Sequence, residues 1–223
     1  MDQFQATPTQ PSTTQSTVDA ERRIAERLQQ AKQMVVTHAM ILGSLVALLW
    51  LVEVADQLFW QQSLDFLGIQ PRTQGGLEHI LFAPFLHRGF SHLLANTLPF
   101  LLLGWFVMLR GVGEFILVSL IAGLISGAGI WLFGAPDTIH IGMSGVIFGY
   151  LGFLLGRGYF ERSAIAIGLA FLVGLLYGSM IWGVFPIQPN ISWQGHLFGL
   201  LGGGIAAYLL AKRPEVRSKP GPG

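Results

Sequence analysis

The feature that most constrains this chain is a series of apolar stretches, several of them close to 20 residues long, separated by short polar segments. A stretch of about 20 apolar residues matches the hydrocarbon thickness of a bilayer. Backbone groups in lipid must satisfy their own hydrogen bonds, which a helix does internally. The expected fold class is therefore all-α, a polytopic membrane bundle. Of the 223 residues, 52% are hydrophobic and only 11% charged, against about 25% charged in a soluble domain. With no cysteine, disulfides and thiolate metal sites are excluded.

Taken in order, residues 1–34 form a polar leader, with a disordered composition over 1–17 and helix-forming composition over 19–33. The first apolar run follows this leader, which argues against a cleavable signal peptide. Six membrane helices are expected over 35–58, 91–109, 114–133, 144–157, 164–185 and 193–211, within a membrane domain 35–212. A basic tail, 213–223, closes the chain. The loop 60–90 carries turn signals at 68–71 and 75–76. Its apolar runs 64–69 and 80–86 are too short to span and are expected at the membrane interface.

Charge sets the orientation. Under six spans, Arg22, Arg23, Arg27, Lys32, Arg110, Arg157, Arg162, Lys212, Arg213, Arg217 and Lys219 share one side. Arg72 and Arg88 fall on the other. The positive-inside bias puts both termini in the cytoplasm, and the expected location is a bacterial inner membrane.

Three polar residues stand at similar depth in this frame. Ser144 precedes Arg157 by 13 residues, His196 precedes Lys212 by 16 and Asn96 precedes Arg110 by 14. At 1.5 Å per residue these separations are roughly 20 to 24 Å. A serine is a poor nucleophile until a base takes its proton, and a histidine suits that task. Singly, such residues serve as interhelical hydrogen-bonding glue. Together at one depth they point to function, because polar groups in a membrane are costly. The carboxylate that would complete a triad is scarce. Asp137, just before Ser144, is the sole candidate, and it is expected above the serine's depth. A Ser144–His196 dyad is the economical reading, with the histidine oriented by packing. Oxyanion donors would be the Ser144 amide at a helix N-terminus, Asn96, and His92 one turn from it. Gly142, the glycines of the fourth helix (Gly145, Gly149, Gly152, Gly156) and those of the sixth (Gly195, Gly199, Gly203) are expected to permit close helix packing. His38 and His140 read as incidental. A zinc site from His79, His87 and His92 is a competing reading, unsupported by any HExxH pairing.

At these residues the sequence resembles the rhomboid family of intramembrane serine proteases, over roughly 75–212. The motifs are His92-x-x-x-Asn96, Gly142-x-Ser144-Gly145 and Gly195-His196-x-x-Gly199-x-x-x-Gly203. The resemblance implies a six-helix rhomboid-like bundle with a short central helix carrying the nucleophile Ser144. It further implies His196 as base, oxyanion donors from Asn96, His92 and the Ser144 amide, and Phe148 stacked on the histidine. His87 matches a family histidine usually read as structural. The expected activity is cleavage of single-span membrane proteins in or beside their transmembrane segments, with the lipid bilayer as surroundings and no cofactor, metal or nucleic acid. The chain departs from the pattern in three places. Glu78-His79 stands where a Trp-Arg pair is common, Gly195 replaces a more frequent alanine, and Phe148 replaces a frequent tyrosine. The alternatives are an inactive rhomboid-like module that binds membrane clients, and a channel or transporter. The last would call for repeated halves or an ionisable pathway, which the sequence lacks.

Overall fold

A computed structural model describes residues 13–188 and 191–211. Its helices are α1 (Thr13–Ala55), α2 (Gln74–Glu78), α3 (Phe90–Met108), α4 (Val112–Phe133), α5 (Ser144–Glu161), α6 (Ala164–Tyr177) and α7 (Trp193–Ala211). A π turn, Asp56–Trp60, follows α1, and a 3-10 segment, Gly178–Val184, follows α6. The chain divides into two compact units, Met1–Ile41 and Leu42–Gly223. In the first unit the described residues belong to α1, and most of them are exposed. The expected lead-in helix and first span thus belong to one helix. Of the expected disordered stretch, 1–12 lie outside the described residues, whereas 13–17 are helical. The basic tail 213–223 and Lys212 also lie outside them.

The second unit is an all-helical bundle, as the apolar runs predict. Five described helices are long and apolar enough to cross a membrane: Thr17–Trp60, Phe90–Met108, Val112–Phe133, Ala164–Val184 and Trp193–Ala211. The sixth expected span, α5, is not among them, because glycines, Arg157 and Glu161 dilute its apolar content. It is instead the enclosed centre, with Val146 through Leu154 buried on every side. Its 18 residues make about 27 Å of helix, one turn longer than expected. Arg157 is correspondingly not a solvated end marker. Its side chain is 8% exposed and forms a two-pronged pair with Glu161 at 2.8 and 3.0 Å. Arg110 reaches the same Glu161 and also Glu114. This network joins the ends of α3, α4 and α5 in a setting where unpaired charges would be costly.

Glycine decides how the centre packs. A Cβ on Gly199 would land on the Gly145 carbonyl, one on Gly203 on the Gly149 carbonyl, and one on Gly152 on the Leu200 carbonyl. So α5 and α7 touch backbone to backbone. The close approach extends to a third helix: Gly149 meets Ala122, and Gly145 meets the hydroxyl of Ser126, both on α4. Ser126 Oγ donates to the Gly195 carbonyl at 2.8 Å, pinning the start of α7. On the α3 side, fully buried Tyr150 packs on Phe100 and Phe115 and hydrogen-bonds Ser119 at 2.7 Å.

The 60–90 loop does not simply lie at an interface. Ile80 and Ala83 are buried with Ile69 and Ile130 in a small core of their own, while Phe66, Leu77, Leu81 and Phe82 face outward. Ile69 and His140 form an isolated antiparallel bridge. Arg72 donates to the Leu132 and Gly134 carbonyls, and Trp131 donates to that of Thr73. The loop is therefore fastened to the end of α4.

Gly203→Ala and Gly204→Ala test the backbone contact within one helix. The first puts a methyl on a carbonyl, whereas a Cβ on Gly204 meets nothing within 4 Å. Thermal unfolding in detergent is expected to show a loss of about 1–3 kcal/mol for Gly203→Ala, the range for overpacking. Gly204→Ala should be neutral or slightly stabilising, since alanine is the better helix former.

Candidate active site

Five segments converge on one cavity. Its walls include His92, Asn96, Ser144, Phe148 and His196, together with Met180 and Asp137. Ser144 opens α5 just after the cap residue Met143. At this first helical position its amide has no acceptor within the helix. Gly142 precedes the helix and packs within none, contrary to a helix-packing role. Its φ of +115° suits glycine, and a Cβ there would come 2.7 Å from the His92 ring. The Gly142 amide donates to the Ala83 carbonyl at 2.9 Å. His87 Nε2 accepts a long bond from the Met143 amide at 3.4 Å. Burial pushes His87 down to about 4, so it stays a neutral acceptor holding the chain just ahead of the serine.

His196 lies on the first turns of α7. Its Nε2 is 2.9 Å from Ser144 Oγ and its Nδ1 is 3.0 Å from the Gly183 carbonyl oxygen. A carbonyl only accepts, so the proton sits on Nδ1 and leaves Nε2 bare to take the serine's hydrogen. The Phe148 ring lies flat against the imidazole, with centroids 4.1 Å and planes 7° apart. Packing alone does not orient the histidine; a main-chain acceptor also fixes its tautomer. Sequence reading missed Gly183, because a carbonyl is common to every residue and only the fold shows which one is near.

Asn96 is buried, and its Nδ2 donates to the His92 carbonyl at 2.9 Å. One of its two amide hydrogens is thereby used, and the other is left over. His92 Nδ1 accepts a long bond from the Arg88 amide at 3.4 Å, which leaves its proton on Nε2. The His92 and His87 rings meet edge to face, 5.1 Å apart.

Asp137 lines the cavity, in a left-handed turn with φ of +61°, but His196 Nδ1 is taken by Gly183. His140, read as incidental, is a connector. Its Nδ1 meets Ser192 Oγ and its Nε2 meets Thr138 Oγ1, both at 2.8 Å. His79 Nδ1 instead contacts the Gly68 carbonyl at 3.0 Å. Among the described residues no three histidines or carboxylates come together to hold a metal ion.

The fold and site define a polytopic helical membrane protein with a serine and a histidine hydrogen-bonded inside its bundle. The rhomboid domain profile matches residues 74–213, and the chain belongs to the rhomboid family. An uncharacterized protein of Mycobacterium tuberculosis is 42% identical over 182 residues, 78% of this chain and 75% of its own length. YdcA of Bacillus subtilis is 29% identical over 185 residues, 82% of this chain and 92% of its own. The rhomboid protease GluP of Bacillus subtilis is 33% identical over 145 residues, 62% of this chain but 27% of its own length.

Since Gly183 holds Nδ1, Asp137→Asn should change the rate of Ser144 modification by a fluorophosphonate by less than about tenfold, or 1.4 kcal/mol of barrier. A loss near 10⁴-fold, the effect of removing a true triad acid, would bring Asp137 into the site.

Proposed function

We propose that this rhomboid is an active intramembrane serine endopeptidase. The observation that carries the reading is the 2.9 Å contact between Ser144 Oγ and His196 Nε2, with Nδ1 held by a carbonyl. That arrangement gives the serine a base in the correct tautomer. Ser144 Oγ attacks the scissile carbonyl carbon as its proton passes to His196 Nε2. The oxygen of the tetrahedral intermediate takes the negative charge, met by the Ser144 amide, the free N–H of Asn96 and His92 Nε2–H. Collapse breaks the C–N bond, and His196 returns the proton to the leaving amine. Water, deprotonated by His196, then hydrolyses the acyl-serine and restores the enzyme.

Substrates are single-span membrane proteins, cut in or beside their transmembrane segments. The positive-inside bias supports an orientation with both termini cytoplasmic and the serine end of α5 toward the other face, and the bacterial relatives support an inner-membrane location. The rhomboid protease GluP supports the activity by likeness.

Cleavage of a panel of single-span proteins in proteoliposomes tests this reading. Ser144→Ala and His196→Ala are each expected to remove nearly all cleavage, and the double variant to be no worse, since residues acting as a unit are not additive. Substantial cleavage by either single variant would remove the mechanism.

Asn96 separates catalysis from glue. As an oxyanion donor, it should cost roughly 10²–10³-fold in kcat when changed to alanine, with little change in stability. As glue alone, Asn96→Ala should instead lower stability by about 0.6–2 kcal/mol and leave kcat nearly intact.

A further inference from the structure

We infer that Gly183 is a positioning residue for the histidine base, its carbonyl fixing the Nδ1–H tautomer of His196 and its missing side chain making room for that contact. The inference rests on the protease reading for its functional consequence, and on geometry alone for the contact.

Two observations meet at this position. The carbonyl oxygen stands 3.0 Å from His196 Nδ1, filling the place that a carboxylate fills in a triad. In addition, a Cβ on Gly183 would come 2.9 Å from Phe148 Cζ and 3.1 Å from His196 Nδ1. Both neighbours are rings stacked on each other, so neither can swing aside without disturbing the imidazole. The main chain must give instead, and the carbonyl moves with it. Glycine is needed here for close approach, without any unusual φ.

The carbonyl also belongs to a distinctive segment. Gly178–Val184 is a 3-10 continuation of α6, and the span Ala164–Val184 is the least enclosed of the five, 11% buried. Among its residues Val184 is buried, anchoring the end of the segment, while Met180 lines the cavity. The base is thus held from one side by the core helix α5, through Ser144 and Phe148, and from the other by the segment that continues α6. How that segment seats determines whether Nε2 is presented bare to the serine. A backbone acceptor is neutral and titrates nowhere. It selects the tautomer without placing a buried charge beside the imidazole, a placement that would be costly in this environment.

The test uses the full chain in detergent with ¹⁵N-labelled histidine, the His196 ring signals being assigned by difference from His196→Ala. Two variants weaken the contact by independent means. Gly183→Ala displaces the carbonyl. Replacing Val184 by its α-hydroxy counterpart turns the 183–184 amide into an ester, whose carbonyl is a poorer acceptor and which adds no side chain. The expected result is loss of the purely Nδ1-protonated signature in both, with kcat lowered by at least about tenfold and KM little changed. Fluorophosphonate labelling of Ser144 should slow in parallel. Should Gly183→Ala fail to fold, the ester decides. An unchanged Nδ1-protonated signal, or kcat within about twofold of the parent, in a folded ester protein overturns the inference. The tautomer is read without substrate. A parent chain that cleaves nothing therefore defeats the protease reading and still leaves the Gly183 contact measurable.

Discussion

The contact on which the rest depends is the backbone-to-backbone approach of α5 and α7, where Gly199 and Gly203 lie against the carbonyls of Gly145 and Gly149. In lipid there is no hydrophobic drive between helices, so van der Waals packing and hydrogen bonds must hold them. Small residues bring many atoms into range and allow the helices to run unusually close. That closeness places a serine on one helix and a histidine on the next within one hydrogen bond. Side chains as large as leucine between these helices would separate the pair.

The enclosed position of α5 has a second consequence. It carries the serine at its first turn and an arginine near its last, yet is surrounded by other helices. The polar ends find partners: His87 holds the chain before the serine, while at the other end Arg157 pairs with Glu161 within α5 and Arg110 reaches the same Glu161 from beyond α3. Between those ends Val146 through Leu154 are buried.

The site's electrostatics follow from the neutral partner of His196: its Nδ1 meets the Gly183 carbonyl rather than Asp137, the carboxylate that lines the same cavity. A triad acid would have to be kept charged in a low-dielectric interior, at a cost that only close pairing offsets. The carbonyl of Gly183 supplies direction without charge, and the stacked Phe148 ring supplies orientation without a polar group. The same economy appears in the helper contacts. Ser126 on Gly195 and Asn96 on the His92 carbonyl are neutral hydrogen bonds that fix main-chain positions beside the reacting groups.

Much was legible in the sequence for a physical reason. Length and apolarity of the runs dictate membrane helices, and Asn96, Ser144 and His196 do line one cavity, although Arg157, from which the serine's depth was counted, is a buried ion-pair partner and not an end marker. Glycine periodicity on two helices announces close packing. Other features were beyond reach. Whether α5 faces lipid depends on which helices surround it, and its diluted hydropathy hides that it is the core. His140 looked incidental because its partners, Ser192 and Thr138, are chosen by loop geometry. The 60–90 loop's apolar residues could not be divided between an interface and a core until Ile80 was seen against Ile69 and Ile130. Above all, the sequence determined that a serine and a histidine must share a bundle. Only the tertiary structure decided which carbonyl holds the far side of the imidazole, because a main-chain acceptor carries no signature in the residue that bears it.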